Sequence, residues 1–319
     1  MITDVLQFRL HPYAIIIMNS VRLDGRFLAP KALTTDISGV VSPRYPAEFY
    51  LEFGLLCWDD CPMSEEAAHE VPLIGGRSVV TRVGDAVFRQ ARPWSRSTIA
   101  LLIHLHERGF EHAPRIIGNG FDVRGREMLT YVEGESIHPK PWDDSALPVL
   151  GEMLLKLHEA SKSFSGFERR AWSPWFGRRI GTPSVVGHCD TGPWNIIHRE
   201  RRPVALIDWE EAGPVDPMVE LAQACWLNAQ LFDDDIAEIQ GLGSARSRAK
   251  QVKLLLDGYH LPKAARLGFV DLIRDFAILN AANEAIEAGV RPNSSDSTPA
   301  WGIAWRAKSA AWIIRNHKH

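Results

Sequence analysis

The segment from Val186 to Glu210 limits the possible folds of this chain more than any other, and it reads VGHCDTGPWNIIHRERRPVALIDWE. Asp190 is followed five positions later by Asn195, and Asp208 closes an apolar run. Two short strands around a turn at residues 200–203 would lie between them and present Asn195 and Asp208 at their ends. The segment therefore predicts a tight polar loop beside a β-hairpin, with three polar side chains at one place.

The residue types in this pattern are those that phosphoryl transfer to a hydroxyl requires. A carboxylate such as Asp190 can accept the proton of the hydroxyl, while Asn195 and Asp208 offer the hard oxygen ligands that suit Mg²⁺. Each residue alone also has a structural explanation, as a turn residue, a strand-edge hydrogen-bonder or a strand terminator. Their order and the hairpin-length spacer between them favour a functional site over coincidence.

Composition excludes several other classes of protein. With 319 residues, of which 45% are hydrophobic and 24% charged, the chain can form two lobes. A formal charge of -3 provides no basic field for nucleic acid. The longest aliphatic run, Ala14 to Met18, is too short to span a bilayer, and no export signal surrounds it. We therefore expect a cytoplasmic protein with neither a nucleic-acid nor a membrane partner.

The four cysteines lie at positions 57, 61, 189 and 225. Cys57 and Cys61 resemble half of a zinc site, but no second pair with suitable spacing follows. A chain of this length without an export signal does not depend on disulfides. We expect free thiols.

Residues 1–69 differ from the rest, since they scatter Pro, Gly and aromatic residues with little periodicity. We expect a loosely packed N-terminal extension. In an alternative hypothesis, translation starts at Met63, because MSEEAAHEVPLIGG reads as a lead-in to the first strand. Purified native protein that begins at Met1 would exclude this alternative.

Residues 70–133 have the pattern of a small lobe with five antiparallel strands. The strands are expected up to Ile74, at 78–83, up to Gln90, at 114–117 and at 127–132, with turns at Gly75-Gly76, Gly84-Asp85 and GNGFDVRG. A helix over 97–108 would pack on this sheet, with Ser95 or Ser97 as its cap and Gly109 as its stop.

Residues 134–319 predict a mainly helical second lobe. An apolar stripe from Leu147 to His158 has helical spacing, and Asp216 and Pro217 begin another helix as N-cap and first residue. Trp301, Trp305 and Trp312 share one face of the last helix, which favours core packing over a ligand cage.

Two strings, GHCDTGPWN and LIDWEEAGPVDP, resemble the Brenner motif and the metal-binding aspartate of the aminoglycoside phosphotransferase and choline kinase superfamily. Other parts are similar to bacterial phosphotransferase-enzyme-family proteins, namely GGRSVVTRVGDAVFR, MLTYVEG, LLKLHEAS and DPMVELAQACWLNAQ. The resemblance runs from about Glu70 to the C-terminus. It implies an α+β, bilobal, protein-kinase-like fold, with a small antiparallel-sheet N-lobe, a mainly helical C-lobe and a nucleotide bound between them.

The resemblance also implies roles for particular residues. Asp190 would be the catalytic base, Asn195 and Asp208 would hold Mg²⁺, and His188 would brace the loop. The co-substrate would be ATP or GTP, and the side chains do not discriminate between these two.

Further nucleotide contacts are expected in the small lobe. The backbone of Thr130, Tyr131 and Val132 would contact the base. Gly75 and Gly76 would form the turn over the phosphates, although an ordinary hairpin turn explains these two glycines equally well.

Three features depart from the superfamily pattern. Arg89 stands where a strand lysine usually contacts the phosphates, and its planar fork can also bind phosphate. The following helix has no well-placed acid to pair with it, because Glu107 lies at the far end. Cys189 stands where a glycine is common, and a small thiol is expected to fit there.

The acceptor is expected to be a small molecule with a hydroxyl group. Acidic residues of the helical lobe could attract a cationic acceptor, although solvated helix faces explain them as well. They are Asp233 to Asp235, Asp271, Asp275, Glu284 and Glu287.

We consider three functional hypotheses, a small-molecule kinase, a nucleotide-binding pseudoenzyme and a protein kinase. The chain passes within eight residues from Asp208 to the helix start at Asp216. That distance leaves little room for a peptide-docking segment, which disfavours a protein kinase.

Overall fold

The computed structural model describes residues 70–73, 79–294 and 299–319. The predicted N-terminal extension, the zinc-like cysteine pair, the alternative start at Met63 and the Gly75-Gly76 turn lie outside these ranges. Within them the chain forms ten strands and seven α-helices. No helix of this part of the chain combines the length and the apolar character needed to cross a bilayer.

The first lobe is a five-stranded antiparallel sheet with the order β1-β2-β3-β5-β4. Its helix, α1, buries Ile99, Leu101, Leu102 and Leu105, and it ends before Gly109, which adopts a φ of 79°. The elements are β1 (Val71–Leu73), β2 (Val80–Val83), β3 (Ala86–Arg89), α1 (Ser95–Glu107), β4 (Ile116–Phe121) and β5 (Glu127–Thr130).

Two local predictions for this lobe are wrong. Strand β4 extends beyond its predicted end at residue 117 to Phe121, so the turn occupies only the second half of GNGFDVRG. Asp122 Oδ1 stabilises this turn by accepting the N–H groups of Arg124 at 2.9 Å and Arg126 at 2.8 Å. Neither predicted serine caps α1, since Trp94 occupies the cap position and Ser95 Oγ instead accepts the N–H of Arg92. Competing side-chain hydrogen bonds explain both differences.

The second lobe is mainly helical and carries two small antiparallel sheets, β6-β8-β9 and β7-β10. Helix α3 begins as predicted, with Asp216 accepting the N–H of Met218 and Pro217 as the first residue. The strands are β6 (Glu135–Ser136), β7 (Val185–Gly187), β8 (Ile196–Arg199), β9 (Arg202–Leu206) and β10 (Gly213–Val215). The helices are α2 (Ala146–Ser161), α3 (Pro217–Asn228), α4 (Asp234–Gln240), α5 (Ala245–Gly258), α6 (Phe269–Glu287) and α7 (Ala300–Arg315).

The core of this lobe contains the predicted α2 stripe and most of α3. Trp305 stacks on Trp226 with ring centroids 5.1 Å apart, and Trp312 is also buried. Trp301 is 42% exposed, so the expectation of three core tryptophans holds for two of them. It lies in the first turn of α7, and spacing along one helix does not show how far the neighbouring core extends.

Candidate active site

The loop between β7 and β8 brings two of the predicted site residues into contact. The side-chain nitrogen of Asn195, Nδ2, donates to the Asp190 carboxylate at 2.8 Å and to the Asp190 backbone carbonyl at 3.0 Å. Because both partners are acceptors, the nitrogen must face them, and Asn195 Oδ1 points the other way. No donor of the described residues contacts this oxygen.

His188 lies beneath the same loop and is fully buried. Its Nε2 lies 2.8 Å from the Ile207 carbonyl, and its Nδ1 accepts the N–H of Asp190 at 3.2 Å. This pairing requires the neutral ring with its hydrogen on Nε2. Burial lowers the pKa of His188, which favours that neutral form. The ring thus links the loop to the end of β9.

Asp208 follows β9 and reaches the same place. The N–H of Ile207 donates to the Asn195 carbonyl at 2.9 Å, and Asp208 itself adopts a left-handed φ of 60°. Burial, followed by the nearby charge of Asp208, raises the pKa of Asp190 to about 7. Hydrogen bonds from Trp194 and Asn195 oppose this shift. The fold therefore places Asp190, Asn195 and Asp208 together.

Arg89 joins this group from the small lobe. Its Nη1 lies 3.0 Å from Asp208 Oδ1, and its Nε contacts Glu127 Oε2. Both Arg89 and Glu127 are buried, whereas the Asp208 side chain is 45% exposed. As expected, no acid of α1 pairs with Arg89, but a carboxylate reaches it from β5 instead.

Sequence reasoning missed Glu127, although a signal exists in the strand pairing. Arg89 and Glu127 are direct cross-strand partners of β3 and β5. Opposite charges that face each other across an antiparallel pair are a recognised stabilising arrangement. The sequence alone does not give the register of the two strands, and without that register the pairing of Arg89 with Glu127 cannot be predicted.

Helix α3 supports the underside of the loop through Glu220. The carboxylate accepts the N–H of Cys189 at 2.6 Å and lies 2.6 Å from His158 Nε2, whose Nδ1 contacts the Tyr259 hydroxyl at 2.7 Å. Burial alone would raise the pKa of Glu220, but the hydrogen bonds from His158 and the Cys189 backbone lower it overall. A Cβ on Gly187 would meet Glu220 Oε2 at 2.0 Å, so only glycine fits there.

Two further α3 side chains hold the same loop. Gln223 donates to the Cys189 carbonyl at 3.1 Å and accepts from the Thr191 hydroxyl at 3.3 Å. Asn228 donates to the Thr191 carbonyl at 2.8 Å. Polar residues inside the otherwise apolar run PMVELAQACWLN were the available signal for these contacts, because a buried polar side chain needs a partner.

Cys189 has a left-handed φ of 64°, which explains why glycine is common at this position. Its thiol is buried, lies 3.5 Å from Arg178 Nη1 and forms no disulfide. Burial raises the pKa of the Cys189 thiol far above its ordinary range, which favours the protonated thiol over the nucleophilic thiolate. As predicted, the thiol fits the loop.

The segment after Asp208 is tied to the start of α1. Arg92 Nε lies 2.6 Å from Glu210 Oε1, and the Trp94 indole donates to the Glu210 carbonyl at 2.8 Å. Burial and then the charge of Asp208 raise the pKa of Glu210, which Arg92 opposes. These contacts connect the two lobes directly beside the site.

The expected base-contact residues lie next to a cavity of about 550 Å³. Thr130, Tyr131 and Val132 line it together with Arg199 and Val204 from the hairpin. The amide of Tyr131 already donates to the Asp85 carbonyl at 2.7 Å. Asp190, Asn195 and Asp208 do not line this cavity. The cavity therefore covers the expected position of the base but not that of the phosphates.

The donor set suits Mg²⁺ bound mainly through a substrate. In residues 70–73, 79–294 and 299–319, no three His, Cys, Asp or Glu side chains lie in an arrangement that could hold a metal ion. Asn195 Oδ1 and Asp208 Oδ2 accept no hydrogen bond from these residues. Mg²⁺ commonly takes one or two protein oxygens together with phosphate oxygens, and these two atoms fit that preference.

The acids considered for acceptor binding mostly form ion pairs within the chain. Lys308 and Arg315 contact Asp233 to Asp235, Arg274 contacts Asp271 and Asp275, and Arg306 contacts Glu284. Intramolecular cations therefore balance most of this charge. This geometry favours the interpretation of these acids as ordinary helix surfaces.

The model of the phosphotransferase enzyme family matches residues 170–252, which include the whole Asp190 loop and Asp208. The trifolitoxin immunity protein of Rhizobium leguminosarum bv. trifolii is 55% identical over 245 residues, which cover 76% of this chain and 94% of that protein.

Solved structures show the same fold at low identity. An amicoumacin kinase in complex with AMP-PNP, Ca²⁺ and Ami has a TM-score of 0.58 and 9% identity over 79% of this chain and 89% of the kinase. The microcompartment-associated aminopropanol kinase has a TM-score of 0.53 and 14% identity over 80% of this chain and 94% of that one. The family match over the site and the relative with 55% identity place this chain in the phosphotransferase enzyme family, and its α+β, protein-kinase-like fold is that of the solved kinases.

Proposed function

We propose that the protein is an ATP- or GTP-dependent kinase that transfers the γ-phosphoryl group to a hydroxyl of a small molecule. Residues 70–133 hold the nucleotide, and residues 134–319 hold the catalytic loop and the acceptor. One observation carries the proposal. Asn195 binds the Asp190 carboxylate through its side chain and holds the chain beside Asp208 through its carbonyl, which unites the three groups.

Asp190 is the base of this proposed reaction. The acceptor oxygen forms a bond to the γ-phosphorus and its proton passes to the Asp190 carboxylate, while the bond from phosphorus to the β,γ-bridging oxygen breaks and releases the nucleoside diphosphate. A carboxylate with a raised pKa is a better proton acceptor than an ordinary aspartate. Neutral His188 holds the loop in register during this step.

Asn195 and Asp208 are the residues that would hold Mg²⁺, which neutralises charge on the phosphate oxygens when bound. Arg89 adds a guanidinium on the small-lobe side, where its planar fork can donate to phosphate oxygens.

Thr130, Tyr131 and Val132 contact the base in the cavity that they line. A kinase that consumes ATP works where ATP is made available, so we place the protein in the cytoplasm.

The names of two similar proteins support a proposal for the acceptor class. The relative with 55% identity is named for immunity to trifolitoxin, and one solved neighbour is named as a kinase of amicoumacin. We propose that the acceptor is a toxin or antibiotic with a free hydroxyl, which phosphorylation inactivates. The family name by itself does not identify the acceptor, because one fold serves many substrates.

A phosphate-transfer screen tests this function. The full chain is incubated with Mg²⁺ and ATP or GTP, and with trifolitoxin, aminoglycosides, macrolides, amino alcohols or sugars in turn. We expect a mass increase of one phosphoryl group on a toxin or antibiotic, and no increase with Asp190→Asn. Transfer to the sugars or amino alcohols alone would contradict the proposed acceptor class.

A nucleotide-binding pseudoenzyme is the second candidate. The observation that favours it is the ion pair between Arg89 and Asp208, which places a cation on a proposed metal ligand. Magnesium-dependent ATP turnover separates the two candidates, because the pseudoenzyme would bind nucleotide without consuming it.

A further inference from the structure

The guanidinium of Arg89 lies between two carboxylates from different parts of the fold. Its Nε contacts Glu127 on β5, and its Nη1 contacts Asp208 after β9 at 3.0 Å. No acceptor of the described residues contacts Nη2. Nε is therefore bound by a residue of the sheet and Nη1 by the proposed metal ligand, whereas Nη2 is free to donate a hydrogen bond.

The position of Glu127 follows from the strand register and from the lack of an acid on α1. Arg89 and Glu127 face each other across β3 and β5, although 38 residues separate them in sequence. The acid of α1, Glu107, is exposed at the last position of the helix, and the buried face of α1 is apolar or hydroxylic. A buried carboxylate is costly unless a cation pairs with it, so Glu127 and Arg89 require each other.

We propose that Glu127 is a positioning residue for Arg89 and that it sets the geometry with which Arg89 meets the nucleotide phosphates. This inference depends on the kinase function proposed above. Glu127 orients the guanidinium plane through Nε, which directs Nη2 towards a phosphate oxygen. Without it, Arg89 would be free to turn wholly onto Asp208 and to compete with Mg²⁺ for that carboxylate.

The plain alternative is a cross-strand ion pair that only stabilises the sheet. In that case, loss of Glu127 lowers the melting temperature and leaves nucleotide affinity unchanged. The positioning role instead predicts that loss of Glu127 raises the Kd for nucleotide, and that it does so only when Arg89 is present. A purely structural role predicts no such change in Kd.

Calorimetric titration of the full chain with Mg²⁺ and AMP-PNP measures this dependence. The variants are Glu127→Gln, Arg89→Met and the double variant, and the control is Glu70→Gln. Glu70 pairs with Arg126 at 3.1 Å in the same lobe, so the control also removes a carboxylate from an arginine. We expect Glu127→Gln to raise Kd about tenfold, the size of one charge-assisted hydrogen bond. The control should stay within about twofold.

The double variant decides the mechanism. On the Arg89→Met background, Glu127→Gln should change Kd no further, because its effect passes through the arginine. Equal Kd values for wild type and Glu127→Gln, or fully additive effects, would overturn the positioning role while the kinase function stands. Absence of AMP-PNP binding by wild type would sink both. If circular dichroism shows that Glu127→Gln is unfolded, Glu127→Asp replaces it under the same criteria.

Discussion

The two sides of the site are built in different ways. On the helical side, Glu220, Gln223 and Asn228 of one helix hold the backbone of the Asp190 loop through buried hydrogen bonds. On the sheet side, one guanidinium, that of Arg89, is shared between two carboxylates. The first arrangement is complete without any ligand. The second changes as soon as something else binds Asp208.

The helical side of the site is therefore the preorganised one. Hydrogen bonds to backbone groups that cannot reach water keep the loop in one conformation, which suits a group that must meet a hydroxyl at a defined distance. A cation beside a partly exposed carboxylate can instead exchange partners. We therefore expect the loop to set turnover and the Arg89 corner to set nucleotide affinity.

Asp190→Asn should give the largest effect, a fall in turnover of about 10²- to 10⁴-fold with the fold retained. The isosteric amide keeps the contacts of the loop but cannot take a proton. Steady-state kinetics and circular dichroism measure the two parts. Turnover equal to that of wild type would remove Asp190 from the role of base, and Asp122→Asn in the surface turn serves as a matched control.

Asp208→Ala should abolish the dependence of nucleotide binding on Mg²⁺. The variant removes the anionic oxygen and also frees Arg89, so binding without Mg²⁺ should persist or strengthen. Calorimetry with AMP-PNP, with and without Mg²⁺, tests this expectation. If Mg²⁺ still changed the affinity for AMP-PNP as much as in wild type, the metal would have another set of ligands, and Asp208 would not link the metal to Arg89.

Glu220→Gln should lower the free energy of unfolding by about 3 kcal/mol at neutral pH, as expected when a buried charged partner is lost. The pKa of Glu220 is lowered on folding, so its contribution is present above the unfolded pKa and disappears as the pH falls through the folded value. Urea titrations across acidic pH should therefore show the difference between wild type and variant shrinking. A constant difference would contradict a charged Glu220.

Among the effects on ligand binding and turnover, that of Arg89→Ala should be the smallest, a rise of about tenfold in the Kd for nucleotide with little change for the acceptor. The variant also leaves Glu127 buried without its cation, so its melting temperature should fall. The substitution removes the guanidinium that donates hydrogen bonds to the phosphate oxygens of the nucleotide. Separate titrations with nucleotide and with acceptor distinguish the two. Equal weakening of both ligands would show that Arg89 holds the lobes together and does not act on the phosphates.

Several parts of this architecture could be predicted from the sequence because they depend on neighbouring residues. The polar loop before β8, the helix start at Asp216 and the apolar stripe of α2 are all recorded in short-range spacing. The predicted end of β4 and the predicted cap of α1 were wrong for a local reason as well, because side-chain hydrogen bonds of Asp122 and Ser95 set the turn and the helix start.

The supports of the site could not be predicted in the same way. Glu127 appeared as one charged residue at the start of a strand, and Glu220 as one acid in an apolar helix. Their partners are 38 and 31 residues away, and strand pairing and helix packing decide those distances. No periodicity within either element contains that information.

The sequence by itself determined which chemical groups are present and in what order, because the spacing of Asp190, Asn195 and Asp208 around a hairpin is local. The tertiary structure alone decided which residues support these groups and which partners those residues meet. Glu127 meets Arg89, and Glu220 meets the Cys189 backbone, because burial makes an unpaired charge costly and packing chooses the partner.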